Sequence, residues 1–575
     1  MQRKPLRSNF EPGTTREAVR RAQWKALGLS DEDLLKPKIA VVNSSSELAI
    51  CFSHLDGVAR VVKDAIRAAG GLPFEIRTAA PSDFIVSAGG SGYILASRDL
   101  LVNDIEVQVQ GAQLDGMICL TSCDKTPPAH LMAAGRFDIP TILVVCGYQP
   151  SGEYRGKHVD IEDVFMGSVQ ARFGKLDRDE LREMADNAIR GPGVCSGMAT
   201  ANSMHVVCEA LGMTLPGAAP VAANSEAMFD CARRSGERIV QMVLEDLKPR
   251  AIMTEGAFRN AVAAVLAVSG SINCIKHLQA VAVESGLDLD VFGLVNELGR
   301  KVPVLSAVRP NGDDSIEAFE AAGGARALLK QLEPLLDTSV LTCTGATLRE
   351  NLAGVTCRDP EVIRPLDRPF SRAPSIVVLR GSLAPESAIV KLGLREAGRK
   401  AQFRGPAIVY DDPYEAIDGI QRGDVRPGHV LVVRGMGPKG GPGMAGPASH
   451  VVFALYSRDL QNEVAFVSDG QLSGLCNKGL TVAEVSPEAA VGGPLGLVET
   501  GDEIAIDVDA CRLDLEVPED VLAARRARLG EPSLKPATGW LAVYRREVRP
   551  MSEGVVLVPE EAIGRPRSRS AAPAR

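Results

Sequence analysis

Residues 116–126 read GMICLTSCDKT, a short apolar run followed by a polar loop with the tripeptide Cys-Asp-Lys at 123–125. An apolar run of this length, bounded by turn residues, predicts a buried strand. Similar runs at 39–42 and 141–145 are separated by longer amphipathic stretches, which is typical of parallel α/β units. Because ligands bind beyond the carboxyl ends of parallel strands, we expect the loop at 121–126 to lie at a binding site.

The pattern of elements changes near residue 360. Residues 364–374, RPLDRPFSRAP, are rich in proline and arginine and predict a linker. Strands dominate beyond it, in the segments SIVVL, PAIVY, HVLVVR, VAFVS, EIAIDV and RLDLEV. We therefore predict an α/β fold, with a parallel-sheet α/β domain over residues 1–363 and a smaller β-rich domain at 375–558. Residues 559–575 are basic and poor in apolar side chains, which predicts a flexible tail.

The composition is typical of a large globular enzyme that acts on a small molecule. The chain has 575 residues, of which 45% are hydrophobic and 24% charged. A formal net charge of -8 gives no reason to expect nucleic acid or an anionic membrane as partner. The start, MQRKPLRSNFEPG, has no apolar segment for secretion, and no later apolar run approaches the roughly 20 residues that span a bilayer. A cytoplasmic location is expected.

Three of the 12 cysteines have neighbours that differ from those of the rest. Cys51, Cys123 and Cys195 lie among small, polar and glycine residues, the composition of turns that bring backbone close to a ligand. The other cysteines are expected to pack in the core or between elements, because free cysteine usually behaves as a small hydrophobe. Three thiolates can hold an iron–sulfur cluster and leave one iron free to bind a substrate hydroxyl as a Lewis acid. The adjacent acid and lysine indicate a second, harder metal.

Five segments resemble motifs of the dihydroxy-acid dehydratase and phosphogluconate dehydratase superfamily, in the family's order. They are TSCDKT at 121–126, GPGVCSGMATANSM at 191–204, GPKGGPGM at 437–444, SDGQLSG at 468–474 and EVSPEAAVGGP at 484–494. The resemblance covers nearly the whole chain. It implies an N-terminal α/β domain, a C-terminal β-barrel-like domain, an active site between them, and a homodimer or homotetramer. The implied reaction removes water from a 2,3-dihydroxy carboxylate to give a 2-keto acid.

The resemblance also implies an iron–sulfur cluster, either 2Fe-2S or 4Fe-4S, together with Mg²⁺. By position, the implied cluster ligands are Cys51, Cys123 and Cys195. The 4Fe-4S members lack a cysteine at the position of Cys51, so its presence favours 2Fe-2S. The implied magnesium ligands include Asp124 and a carbamylated Lys125, since carbamylation converts an ammonium into the oxygen donor that magnesium prefers. Without the motif, a solvated turn with a helix-capping aspartate would be the better interpretation of these two residues.

Two further magnesium ligands are less regular in this chain. Counting forward along the sequence aligns Asp83 with the family's aspartate, whereas counting back from the next helix aligns Ser82. We choose Asp83 because a carboxylate suits the ion. The family's glutamate is replaced by Gly446, which should weaken magnesium binding or leave the position to water or substrate. His450 lies nearby in sequence and is left unassigned.

Ser473 matches the serine that the family uses, as an alkoxide, to remove the proton next to the carboxylate. A free hydroxyl is a very weak base, so this role requires nearby cations that lower its pKa. In the implied sequence, magnesium holds the carboxylate and the C2 hydroxyl, Ser473 takes the C2 proton, and the open iron carries away the C3 hydroxyl. The alternative is a turn serine between glycines.

Other departures from the family motifs indicate an altered pocket. Glu484 stands where the family often has histidine, and residues 475–478, LCNK, stand where many relatives have Gly-Thr-Ser. Cys476 is expected either to line the pocket or to pack in the core, and Lys478 either to meet a substrate charge or to be solvated. The segments AAGGLPFE and RGKHVDIEDVF favour a dihydroxy-acid dehydratase-like enzyme. The alternatives are a sugar-acid (aldonate) dehydratase, which acts on a polyhydroxy carboxylate, and a non-catalytic cluster-binding paralogue.

Overall fold

The computed structural model describes most of the chain. The described residues are 5–79, 82–90, 92–394, 401–444, 446–530, 532 and 534–558. The tail predicted at 559–575 lies outside them.

A four-stranded parallel sheet forms the centre of the N-terminal half, in the order β2-β1-β3-β4. Its strands are β1 (Lys38–Asn43), β2 (Leu72–Arg77), β3 (Gly116–Thr121) and β4 (Thr141–Val145). Every residue of β1 and β3 is buried, so helices cover both faces of the sheet, as parallel sheets require. The predicted strands at 39–42, 116–120 and 141–145 are therefore present, and β2 is an additional strand at the edge of the sheet.

Helices surround this sheet. They are α1 (Thr15–Ala26), α2 (Leu55–Ala68), α3 (Asp83–Val86), α4 (Gly92–Gly111), α5 (Thr126–Phe137), α6 (Ile161–Arg172), α7 (Arg178–Asn187), α8 (Thr200–Ala210), α9 (Glu226–Glu245), α10 (Pro249–Ile252), α11 (Glu255–Ala267), α12 (Asn273–Glu284), α13 (Val291–Gly299), α14 (Ile316–Ala322), α15 (Gly324–Leu332) and α16 (Leu348–Asn351). A two-stranded hairpin, β5 (Gly152–Tyr154) and β6 (Lys157–Val159), precedes α6. All residues of α8 and α12 are buried, so these two helices form part of the core rather than a surface layer.

The C-terminal half contains an eight-stranded mixed sheet in the order β14-β13-β9-β10-β11-β12-β8-β7. Its strands are β7 (Ile376–Leu379), β8 (Ser387–Lys391), β9 (Gln402–Tyr410), β10 (Val430–Val433), β11 (Ala465–Ser468), β12 (Thr481–Ser486), β13 (Glu503–Asp507) and β14 (Arg512–Leu515). An isolated bridge joins Arg380, just after β7, to Arg512 in β14, so the two edges of the sheet nearly meet. The predicted β-barrel-like architecture is confirmed. Strands β8 and β12 were not predicted from the sequence.

Four helices accompany this sheet. They are α17 (Pro413–Arg422), α18 (Gly446–Ser457), α19 (Glu519–Leu529) and α20 (Gly539–Glu547). Helix α18 packs against α6 of the N-terminal half, and one apolar core includes residues of both halves. Within the described part of the chain, no helix is both long enough and apolar enough to cross a bilayer.

Candidate active site

A cavity of about 450 Å³ lies where the two halves meet. Six of the seven predicted site residues line it, namely Cys51, Asp83, Cys123, Asp124, Cys195 and Ser473. The seventh, Lys125, donates a hydrogen bond from its Nζ to Asp83 Oδ2 at 2.8 Å. Residues separated by more than 400 positions in the sequence are thus brought to one place by the fold.

The three cysteines lie in the loops that lead into α2, α5 and α8. Each loop therefore brings its thiol near the positive end of a helix, which favours an anionic group. Cys123 has a φ of 59°, a left-handed conformation that costs energy outside glycine and is common at functional sites. Asn202 Nδ2 donates to the carbonyl oxygen of Cys195 at 2.8 Å and fixes its loop.

The thiols are free, and those of Cys51 and Cys123 lie close enough to interact. A hydrogen bond to the Cys51 sulfur, followed by burial, raises the pKa of the Cys123 thiol well above its ordinary value. Burial, followed by the charges of Asp124 and Cys51, raises the pKa of Cys195 in the same way. Three thiols that converge on one buried cavity without forming a disulfide are a donor set that fits an iron–sulfur cluster.

The carboxylates of Asp83 and Asp124 meet beside these thiols. Burial and the nearby Asp83 carboxylate raise the pKa of Asp124 to about 7, and the two groups share a hydrogen bond. Asp83 Oδ1 is buried without a hydrogen-bond partner. Two adjacent carboxylates with an unsatisfied oxygen form the donor set that a hard cation such as Mg²⁺ prefers. Ser82 also borders the cavity, but Asp83 is the residue that contacts Asp124 and Lys125.

Comparison with known proteins identifies the family. The family model described as dihydroxy-acid/6-phosphogluconate dehydratase N-terminal matches residues 36–351, and its C-terminal counterpart matches residues 361–555. The chain belongs to this family. It is a dehydratase, a hydro-lyase, and the family depends on an iron–sulfur cluster and Mg²⁺.

Relatives named dihydroxy-acid dehydratase match the dehydratase over nearly its full length. The protein from Methanococcoides burtonii is 41% identical over 555 residues, which cover 95% of this chain and 99% of the relative. The one from Ignicoccus hospitalis is 42% identical over 528 residues, 90% of this chain and 94% of the relative. The one from Moorella thermoacetica is 39% identical over 559 residues, 96% of this chain and 100% of the relative.

Gly446 begins α18 and lines the dehydratase cavity. The sequence motif predicts that the family's glutamate falls at this position. Glycine offers no carboxylate there, so the C-terminal half contributes no acidic side chain from this position. His450, one turn further along the helix, also lines the cavity, with its ring centroid 4.8 Å from that of Phe165. Burial lowers the pKa of His450, and the charge of Arg172 lowers it further.

An apolar wall forms much of the rest of the dehydratase cavity, which Ser82, Ser87, Gln149, Thr200 and His450 also line. Its larger members are Leu48, Ile50, Phe84, Ile85, Ile94, Ile161, Phe165, Ile189, Val194, Tyr414, Met444 and Leu475. Phe165 is central, because its ring packs edge-on against Phe84 at 5.8 Å and Phe453 at 5.1 Å between centroids. Sequence reasoning missed this wall. The helical spacing of Ile161 and Phe165 could have indicated one of its faces.

One of the residues that depart from the family motifs lies at the pocket, as the prediction of an altered pocket requires. Leu475 lines the dehydratase cavity. Asn477 and Lys478 instead line a second, polar cavity of about 220 Å³, and Cys476 is a buried thiol whose pKa burial raises to about 12. Glu484 is fully buried in β12, outside the residues that line the main cavity, and accepts a hydrogen bond from Lys276 Nζ at 3.3 Å.

Proposed function

We propose that this dehydratase removes water from a 2,3-dihydroxy carboxylate with an apolar substituent and releases a 2-keto acid. The observation that supports it best is the lining of one cavity, which combines thiols, carboxylates and a serine with many apolar side chains. The reacting carboxylate and hydroxyls would lie against the polar side chains. The apolar wall suits a branched aliphatic group such as that of 2,3-dihydroxyisovalerate.

We propose Cys51, Cys123 and Cys195 as the ligands of the cluster, with 2Fe-2S favoured over 4Fe-4S. Asp83, Asp124 and a carbamylated Lys125 would hold Mg²⁺. When bound, these groups supply positive charge that lowers the pKa of nearby hydroxyls and a Lewis acid for the leaving oxygen. Gly446 supplies no carboxylate, so all the proposed ligands of the ion lie in the N-terminal half.

Ser473 is the proposed base. Its backbone N–H donates to Ser449 Oγ at 2.9 Å, and its Oγ accepts a hydrogen bond from the N–H of Leu475 at 3.3 Å. These bonds fix the position of the side chain at the cavity. Ser473 Oγ, as an alkoxide, would take the C2 proton as the C3–O bond breaks. The departing hydroxide would take that proton from Ser473 and leave as water, which restores the alkoxide. The resulting enol tautomerises to the 2-keto acid.

The apolar wall disfavours the sugar-acid alternative. An aldonate has hydroxyls on C4 and C5, and burying them against phenylalanine and leucine side chains without hydrogen bonds costs about 1–3 kcal/mol for each group. The wall residues Phe165 and Leu475 offer no hydrogen-bonding side chain. The unpaired hydroxyls of a bound aldonate would therefore make its kcat/KM much lower than that of a 2,3-dihydroxy acid with an apolar substituent.

Three other predictions stay proposals. We retain residues 1–363 and 375–558 as domains joined by 364–374, a homodimer or homotetramer, and a cytoplasmic location. The change from a parallel to a mixed sheet after residue 375 supports the domain division.

The test is 2-keto acid release by anaerobically reconstituted protein with Mg²⁺, on a panel of 2,3-dihydroxyisovalerate and several aldonates. We expect turnover of 2,3-dihydroxyisovalerate and little or none of the aldonates. Preferential turnover of aldonates would contradict the assigned substrate class. Inactivity on the whole panel, with the cluster confirmed by absorbance, would support the non-catalytic paralogue.

A further inference from the structure

The dehydratase cavity meets solvent at apolar side chains. Five large apolar residues of its lining are exposed, namely Leu48 by 71%, Ile50 by 43%, Phe84 by 38%, Ile85 by 49% and Tyr414 by 49%. We call these five residues the rim. Four of them belong to the N-terminal half and Tyr414 belongs to α17 of the C-terminal half. Exposed apolar side chains that gather at one place typically mark a binding surface.

The apolar lining continues from the rim into the protein. Ile94, Met444 and Leu475 also line the cavity and are each at most 4% exposed. Phe84 of the rim packs edge-on against Phe165, with 5.8 Å between the ring centroids. A substituent that extends from the reacting carbons toward solvent can therefore follow apolar side chains along its length.

The cavity is larger than 2,3-dihydroxyisovalerate requires. Cavities of about 300–1,000 Å³ typically enclose ligands of drug size, and this one has a volume of about 450 Å³. The cluster and the ion would take the part of that space beside their ligands. The C3 atom of 2,3-dihydroxyisovalerate carries only methyl groups, which offer little apolar surface to cover the rim. A longer substituent would bury more of it.

We propose that the preferred substrates are 2,3-dihydroxy carboxylates with an extended alkyl chain on C3, and that this chain lies along the rim. The inference rests on the proposed function, because the reaction and the groups that hold the carboxylate and hydroxyls are the same. An alkyl chain has no hydrogen bond to lose when it leaves water, so its burial against the rim is favourable. The chain stays bound in the same way during the reaction, so its burial lowers KM and leaves kcat nearly unchanged.

The first experiment measures 2-keto acid release by the cluster-loaded enzyme with Mg²⁺. The substrates are 2,3-dihydroxybutanoate, 2,3-dihydroxyhexanoate and 2,3-dihydroxyoctanoate, with 2,3-dihydroxyisovalerate as the reference. We expect kcat/KM to rise about two- to fourfold for each added CH₂ group that the rim covers. The octanoate should therefore be a better substrate than 2,3-dihydroxyisovalerate. A kcat/KM that stays constant or falls as the chain lengthens would overturn the proposal.

Variants of the rim test where the chain lies. Leu48 and Leu27 are both 71% exposed, but Leu48 lines the cavity and Leu27 follows α1 outside the described lining. In Leu48→Gln and Tyr414→Ser, the ratio of kcat/KM for the octanoate to that for the butanoate should fall about two- to fivefold. Leu27→Gln is the matched control and should keep the wild-type ratio. All three side chains are exposed, so the fold should tolerate these changes.

Two results with these variants would contradict the proposal. One is a ratio that is the same in Leu48→Gln, Tyr414→Ser and Leu27→Gln. The other is a change of oligomeric state in the two rim variants, seen by light scattering, without a change of the ratio. That result would show that a second copy of the chain covers the rim.

Unreactive acids separate this proposal from the proposed function. 2-Hydroxyhexanoate and 2-hydroxyoctanoate lack the C3 hydroxyl that leaves as water. Their binding is followed by the electron paramagnetic resonance of Mn²⁺, which accepts the same oxygen ligands as Mg²⁺. Tighter binding of the longer acid would support the rim as the chain site, even if inactivity on every dihydroxy acid refuted the proposed function. Equal binding of the two acids to an enzyme that turns over 2,3-dihydroxyisovalerate would refute the role of the rim alone.

Discussion

The two halves of the molecule contribute differently to the proposed metal site. The N-terminal half supplies Asp83, Asp124 and Lys125, which contact one another in a buried cluster. The C-terminal half supplies Ser473 but has Gly446 in place of the family's glutamate. In the proposed assignment, ion binding therefore lies in one half and proton removal in the other, and the absence of a carboxylate at Gly446 leaves the contacts among the N-terminal residues in place.

The largest effect is expected from the C-terminal half. Ser473→Ala removes the proposed base and should reduce kcat roughly 100- to 10,000-fold, the range typical for a lost general base. Mn²⁺ binding and cluster absorbance should be unchanged, since the proposed ion and cluster ligands lie in the other half. Single-turnover measurement of 2-keto acid release checks the rate. If Ser473→Ala weakened ion binding as much as turnover, the separation between the halves would be wrong.

The next effect is expected from the N-terminal half. Asp124→Asn removes a proposed ligand and should weaken Mn²⁺ binding about 100-fold, with a matching rise in the Mg²⁺ concentration needed for activity. The fold should survive, because asparagine resembles the protonated acid and burial already raises the pKa of Asp124 to about 7. A metal titration followed by electron paramagnetic resonance provides the measurement. Asp115→Asn is a control for the loss of a buried aspartate outside the cavity.

A smaller effect should follow from restoring the missing carboxylate. Gly446→Glu places an acid at the first residue of α18, where a helix terminus favours negative charge. We expect Mg²⁺ affinity to rise roughly tenfold, which corresponds to about 1.4 kcal/mol. Gly446→Gln has nearly the same size without the charge and should give no gain. Equal affinities for the Glu and Gln variants would show that the site has diverged at other residues as well.

The smallest effect concerns the apolar wall, where α6 and α18 meet. Phe165→Ala removes apolar contact with the substrate and should lower kcat/KM for 2,3-dihydroxyisovalerate roughly fivefold, or about 1 kcal/mol. Phe165→Leu keeps an apolar side chain and should lose less. Steady-state kinetics on both variants gives the comparison. A gain in activity on aldonates without any loss on 2,3-dihydroxyisovalerate would contradict the role assigned to the wall.

The sequence predicted those parts of the fold whose signal is local. Strands β1, β3 and β4 are short apolar runs, and the cysteine loops were recognisable from their small and polar residues. Strand β2 was missed because it contains proline and charged residues, which its place at the edge of the sheet tolerates. Strand β12 was missed because it includes Glu484, whose burial depends on Lys276 from a distant helix.

The candidate site also has parts with a local sequence signal and parts without one. Single motifs in the sequence indicated Cys123, Asp124 and Ser473, and the fold brings them to one cavity. Apart from the face formed by Ile161 and Phe165, the apolar wall could not be predicted, because its members come from segments far apart in the sequence. Phe84 and Phe165, for example, are 81 positions apart and meet only in the folded chain.

The pair of Lys276 and Glu484 has a consequence for how the molecule moves. Lys276 lies on α12 of the N-terminal half and Glu484 on β12 of the C-terminal half, and neither side chain is exposed. Separating the halves would leave one charge without its partner in the core, at a cost of about 3–5 kcal/mol. This pair therefore opposes hinge opening between the halves. Ile50, Phe84 and Tyr414 line the cavity and are exposed, so the cavity meets solvent at these side chains while the halves stay together.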